Sequence, residues 1–141
     1  MNNGELIRHW FEEVWNKKNR SAIREMLSAD CIHHGLGGPD AEPVRGAAGF
    51  EMFFDAFVNA FPDLHVDVQD VVAEGDKVAS RYVVTGTQSG DLPGVAATNK
   101  KVRFTGGGMC RLEGDKFVEV WNEVDFPKMQ YDLSPDTPDV K

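Results

Sequence analysis

Pro62 divides this chain into two stretches with different rhythms. Before it, apolar residues recur at spacings of three and four, the period of a helix with one buried face. After it, they alternate with polar ones, the period of a half-buried strand. A chain that switches once from helical to strand rhythm is confined to an α+β layering, with the helices covering one face of a mainly antiparallel sheet.

In the helical stretch, Leu6, Ile7, Trp10, Phe11, Val14 and Trp15 predict a first helix of about three turns ending near Asn16 to Asn19. Ser21 reads as the cap of a shorter second helix whose buried stripe is Ala22, Ile23, Met26 and Leu27. Cys31 to His34 is a candidate short strand, followed by GLGGPDAEPVRG, a loop dense in glycine and proline of the kind that borders sites. Phe50, Phe53, Phe54, Phe57, Val58 and Phe61 form the apolar face of a third helix, which Pro62 stops. An aromatic stripe at this spacing is the usual signature of packing.

Four strands are expected beyond Pro62. Leu64, Val66, Val68 and Val72 oppose His65, Asp67 and Gln69 in the first, and Glu74-Gly75-Asp76 turns the chain. The return strand sets Val78, Ser80, Tyr82, Val84, Gly86 and Gln88 on one face; after a loop, Val102, Phe104, Gly106, Gly108, Cys110 and Leu112 share a face of the third. Glu113-Gly114-Asp115 leads into the last strand, KFVEVWNEVDF, in which Val118, Val120, Val124 and Phe126 share their face with Asn122. On this reading residues 1–131 make one domain, and 132–141, polar and proline-rich, make a flexible tail.

At 141 residues the chain is long enough to bury a core without staples. A formal charge of −8 argues against nucleic acid and against anionic membrane surfaces as partners. No apolar run approaches the roughly 20 residues that span a bilayer. Cys31 and Cys110 lie in apolar runs without metal-ligand spacing, and the N-terminus lacks the basic and apolar regions of a signal peptide, so a reduced cytoplasm is expected.

The last strand singles out Asn122, because an amide on an inward face needs a protein partner or a ligand. With it on the concave face come Ser80, Tyr82 and Gln88, and Asp70 if the alternation runs unbroken that far. Gly106 and Gly108 beside them open a cavity or let the sheet bend. His33 and His34 are adjacent, so in an extended segment they point to opposite sides and only one enters a pocket. Glu119, Glu123 and Asp125 line the other face of the last strand, where carboxylates prefer water; Asp125 stands apart because a twist at the strand end redirects it. Trp121 on that outer face marks a surface for a second copy of the chain. Trp15, on the apolar face of the first helix, completes the candidate substrate-binding set.

These phrases in this order, FEEVWNKKN, SADCIHHG, FPDLHVDVQDVVAEGDKV, TGTQSGDLPGVAATNKKV and RLEGDKFVEVWNEVDF, resemble the SnoaL-like polyketide cyclases of the nuclear transport factor 2-like superfamily over roughly residues 5–130. The resemblance implies a cone-shaped α+β barrel, dimeric through its outer sheet face, with a deep hydrophobic pocket. It also implies an intramolecular aldol closure without metal or cofactor, run by an aspartate beside a glutamine and a histidine. Those positions fall on Asn122, Gly106 and Gly108, so the aldol mechanism does not carry over through them. Two readings follow. One is a cofactor-free lyase or isomerase of a small hydrophobic carbonyl compound, with His33 or His34 as base, Asn122 and Tyr82 binding the substrate oxygen, and Asp125 a further catalytic candidate; the other is a non-catalytic ligand-binding or dimerisation module.

Overall fold

A computed structural model describes residues 1–141; a helix ends just before Pro62 and long strands follow it, but the strand expected at Cys31–His34 begins already at Leu27, and a helix follows the last strand. Helix α1 (Asn3–Trp10) starts at Asn2, whose side chain accepts from Glu5 N at 2.8 Å. It runs on as a π-helical segment, Phe11–Asn16, that keeps Phe11, Val14 and Trp15 buried. Lys18, at a φ of 55°, follows its end and donates through Nζ to Trp15 O (3.0 Å), a carbonyl of the helix end, and to Leu64 O (2.8 Å), just ahead of His65. Helix α2 (Ser21–Met26) is entered differently from expectation. Ser21 is its first residue and bonds Asn19 Oδ1, while Arg20 occupies the cap position without a capping side chain.

The polypeptide then forms β1 (Leu27–His34), the two-residue β2 (Val44–Arg45), α3 (Gly46–Ala60), β3 (His65–Glu74), β4 (Lys77–Thr87), β5 (Lys101–Glu113), β6 (Lys116–Val124) and α4 (Phe126–Leu133). One six-stranded sheet results, in the order β2-β1-β6-β5-β4-β3, antiparallel except where β1 runs parallel to β6. The pairing of β1 with β6 brings His33 opposite Val120 and His34 opposite Trp121, joining the two segments from which the candidate residues come. The edge strand β3 is held by Asn16, whose side chain both accepts from Val66 N (2.7 Å) and donates to Val66 O (3.0 Å).

Two bulges revise the alternation. Between Val68 and Asp70 the register with β4 shifts by one, so Val71 packs on the core, Val72 is 68% exposed, and Asp70 turns outward to Arg81 (2.6 Å) instead of inward. The register also shifts opposite Arg111 and Leu112, so that Phe117, 1% exposed, enters the core. The face expected to begin at Val118 therefore begins at Phe117. The last strand stops at Val124 rather than Phe126. Asp125 caps a helix there, accepting from Lys128 N at 3.1 Å with Pro127 in the first turn. Residue 131 lies inside this helix, and the next two residues, Asp132 and Leu133, are buried; Asp132 accepts from Arg103 N (2.9 Å) and Lys128 Nζ (2.6 Å).

The core lies between the helices and the concave face of the sheet. Trp10 bridges it, its ring 5.2 Å from Phe50 of α3 and 5.8 Å from Phe117 of β6. Within α3 the buried Glu51 is neutralised by Arg20 (2.9 Å) and Arg24 (2.6 Å), which tie the α2 segment to α3. No helix is long and apolar enough to cross a membrane.

Candidate functional site

Between α1, α3 and the concave sheet lies a cavity of about 100 Å³. None of the side chains lining it is a carboxylate, ammonium or guanidinium. Its fully buried wall includes Trp10, Phe50, Tyr82, Phe104 and Phe117, and half-buried Phe53, Phe57, Val124 and Phe126 mark its open side. A second groove, between Leu92, Val95, Met129 and Leu133, holds no titratable side chain.

His33 is the inward histidine. It lines the cavity, is 2% exposed, and stacks on Phe50 with ring centres 5.0 Å apart. Its Nε2 is buried without a hydrogen-bond partner. Leaving a buried ring nitrogen unpaired costs about 1–3 kcal/mol, so an orphan of this kind requires an explanation. Burial, with a smaller contribution from neighbouring His34, lowers its pKa from 6.5 to about 4, so the ring is neutral at pH 7. His34 faces the other way. Its Nε2 is 2.7 Å from Glu119 Oε2, its ring stacks on Trp121 at 5.5 Å and 13°, and Glu119 also meets Arg111 at 3.7 Å.

Asn122 lines the cavity and is half-buried. Its Nδ2 donates to His34 O at 2.9 Å, so the protein itself supplies one partner for the amide singled out in the sequence. That bond ties the end of β1 to β6. The chain leaves β1 at Gly35, at a φ of 80°, where a Cβ would stand 2.2 Å from Asn122 O; only glycine permits this crossing. Asn122 thus helps to hold the strand that aims His33.

Tyr82 explains Gly106. A Cβ at residue 106 would stand 2.6–2.8 Å from Cε1, Cζ and Oη of Tyr82, so the tyrosine ring fills the space the glycine vacates. Burial pushes the Tyr82 phenol up to about 12, and it stays a protonated donor in the cavity wall. Gly108 is needed for a different contact, since a Cβ there would stand 2.1 Å from Trp121 O. Ser80, Gly108 and Trp15 line the cavity, whereas Gly106 does not.

Two other candidates lie elsewhere. Gln88 is fully buried but outside the cavity; its Oε1 accepts from Thr98 Oγ1 (2.8 Å) and Thr98 N (3.2 Å), and its Nε2 donates to Val95 O (3.3 Å), pinning the loop between β4 and β5. Asp125 is exposed and engaged as the cap of α4. Alternation alone could not show either role, because both follow from where the chain turns after the strand. Phe117 and Leu36 are cavity residues that the periodicity missed. A bulge hid the first, and the second is the one large apolar side chain in a glycine-rich loop, which was its only signal. Cys31 and Cys110 are buried and unpaired, and burial pushes both thiols up to about 12, so neither is an activated nucleophile. No three His, Cys, Asp or Glu side chains converge as a metal-ligand set.

The family model for the SnoaL-like polyketide cyclases matches residues 5–133. The chain belongs to this family. Among solved structures, the SnoaL-like domain is similar to IdmH, a proposed polyketide cyclase from Streptomyces antibioticus, at 30% identity and a TM-score of 0.79 over 92% of this chain and 96% of that one. It shares its fold with a proposed SnoaL-like polyketide cyclase from Jannaschia sp. CCS1 (24% identity, TM-score 0.82, 93% and 90% covered). TsrD from Streptomyces laurentii shares it as well (22% identity, TM-score 0.80, 95% and 98% covered). No curated protein matches the chain by sequence. The six-stranded curved sheet with helices on its concave side is the cone fold of these neighbours.

Proposed function

We propose that this SnoaL-like protein binds a small apolar carbonyl compound in the cone and acts on it as a cofactor-free lyase or isomerase, with His33 moving the proton. One observation carries the reading: His33 is a buried, neutral imidazole whose Nε2 has no protein partner, in a cavity otherwise lined by apolar and uncharged groups. In the step we assign to it, the imidazole takes a proton from the carbon next to the carbonyl. The C–H electron pair moves into the enolate, and negative charge gathers on the carbonyl oxygen. Tyr82, a phenol held protonated, is the donor for that oxygen. A base whose pKa is about 4 in the empty cavity is weak, but the enolate formed beside it supplies the opposite charge that the empty cavity lacks. Reprotonation at another carbon of a conjugated enolate returns His33 to its neutral form and completes an isomerisation, while reprotonation at the same carbon gives proton exchange or epimerisation. Asn122, standing where the family resemblance puts an acid/base aspartate, acts in this reading through its bond to His34 O, as a positioning residue for β1.

The test needs no knowledge of the natural substrate. Cyclohexanone incubated with the protein in deuterated buffer exchanges its α-protons faster than buffer alone, and His33→Ala abolishes the gain while the ketone still binds. Binding by the wild-type protein without accelerated exchange would sink the catalytic reading and leave a non-catalytic binder. That second reading has its own support, since His33 is the only cavity-lining side chain with a pKa below 7 or near it, and no carboxylate stands by to share the proton.

We infer further that two copies associate through the outer face of the sheet. Exposed Met109 pairs across β5 and β6 with Trp121 there, forming an apolar spot among charged neighbours. Met109→Glu is expected to convert a dimer to a monomer in sedimentation. The two unpaired, buried cysteines fit a reduced, cytoplasmic setting.

A further inference from the structure

The geometry points to a substrate class narrower than the family's name implies: an uncharged carbonyl compound no larger than a single ring. This rests on the cavity being the binding site, as proposed above, but it concerns what fits rather than what reacts.

Size is the first argument. Pockets for drug-sized ligands run to about 300–1,000 Å³, and an apolar cavity of about 150 Å³ takes up benzene. At about 100 Å³, this cavity stands below both. A six-membered ring with one carbonyl oxygen fits inside after a small adjustment, whereas two or three fused rings either force the walls apart or leave rings uncovered at the open side by Phe53, Phe57, Val124 and Phe126.

The walls resist parting because their rings support one another. Trp10 rests on Phe50 and Phe117, Phe50 on Trp15 (5.9 Å), and Trp15 on Phe54 (5.3 Å), so each ring that moves outward leaves a neighbour uncovered. These rings come from α1, its π-helical extension, α3 and β6, and displacing one element separates several pairs at once. The Tyr82 ring, wedged over Gly106 and against Phe11 (4.9 Å), closes the floor in the same way.

Charge is the second argument. A carboxylate or phosphate group on the ligand would enter a cavity without a cationic side chain, and its water would be lost without replacement. An ammonium ligand would meet no carboxylate. What the lining offers is the unpaired His33 nitrogen and the Tyr82, Ser80 and Asn122 polar atoms, enough to orient one neutral oxygen.

A series of ketones on the wild-type protein tests this by ligand-observed NMR or calorimetry: cyclohexanone, 1-tetralone and anthrone, with cyclohexanecarboxylate as the charged match for the first. Apolar area alone would make the larger ketones bind more tightly. We expect the reverse, with tetralone at least ~10-fold weaker than cyclohexanone, since an over-large ring strains a packed interior, and with anthrone excluded. The carboxylate is expected to bind at least ~100-fold more weakly than the ketone. Anthrone or tetralone binding as well as cyclohexanone, the carboxylate matching it, or no probe binding at millimolar concentration would each overturn the inference. The proton-exchange experiment is separate from all of these: a size limit with no exchange defeats the catalytic reading alone, and exchange on a tricyclic ketone defeats the size limit alone.

Discussion

His33 and His34 are consecutive residues of one strand with the same side chain, and the fold gives them opposite circumstances. His33 is sealed between Phe50 and the cavity with its Nε2 unpaired, while His34 lies on the outer face with a carboxylate at 2.7 Å and an indole stacked against it. The contrast extends along β6, where Phe117 is buried in the cavity wall and the half-buried Trp121 stacks its ring on the outward His34. Inner groups are held by packing and have no charge to satisfy them; outer groups are held by partners that water can replace. A ligand is needed only on the inner face, so the search for chemistry narrows to it.

The largest test of that contrast compares the two aromatic residues of β6. Phe117→Ala removes a fully buried ring touching Trp10 and lining the cavity, and is expected to lower stability by about 3–5 kcal/mol in denaturant titration. Trp121→Ala, on the half-exposed outer face, is expected to cost the monomer no more than about half of that. Equal losses would mean that the two faces are packed alike and that the division drawn between them is wrong.

The second test is pH. His33 has a folded pKa of about 4 against 6.5 when unfolded, so between those values the unfolded chain binds more protons. Its neutral, buried form therefore leaves stability intact above pH 6.5, and stability is lost as pH falls toward 4, by something on the order of 3 kcal/mol. Carboxylates also titrate in the lower part of that window, so the measurement is the difference between the wild-type protein and His33→Phe, whose stability should fall less over the same range. Parallel profiles would show that His33 is not held neutral by burial.

How much of this could be read from the chain depends on which interactions are local. The helical stripe ending at Pro62 and the alternation of Val78 to Gln88 set their own faces, because each side chain's direction follows from the repeat. The opposition of His33 and His34 followed from the same rule. What the rule could not supply was the choice between them, since it depends on β1 lying parallel beside β6, a pairing between residues more than eighty positions apart. The bulges near Gln69 and Val118 were hidden for a related reason: an extra residue in a strand has no fixed composition, and each one reverses the faces beyond it. Gly106 and Gly108 were legible as places lacking volume, yet Tyr82 filling one gap and the Trp121 carbonyl crowding the other are facts of neighbouring strands.

The smallest expected effect completes the comparison at His34. Its bond to Glu119 is short, but the two side chains keep 34% and 23% of their exposure, and polar pairs so placed contribute about 0–1 kcal/mol because water competes for both partners. The stack on Trp121 adds area rather than charge, and removing it uncovers an indole that the solvent already reaches in part. His34→Ala and Glu119→Gln should therefore each shift the urea midpoint by an amount worth less than about 1 kcal/mol, and leave the binding of cyclohexanone unchanged. Asn122 takes its bond from the His34 backbone carbonyl, which survives the side-chain change, so β1 should stay in register and His33 should keep its aim. A loss of ketone binding in His34→Ala would show that the outer pair sets the inner residue's position, and the two histidines would then have to be treated as one device.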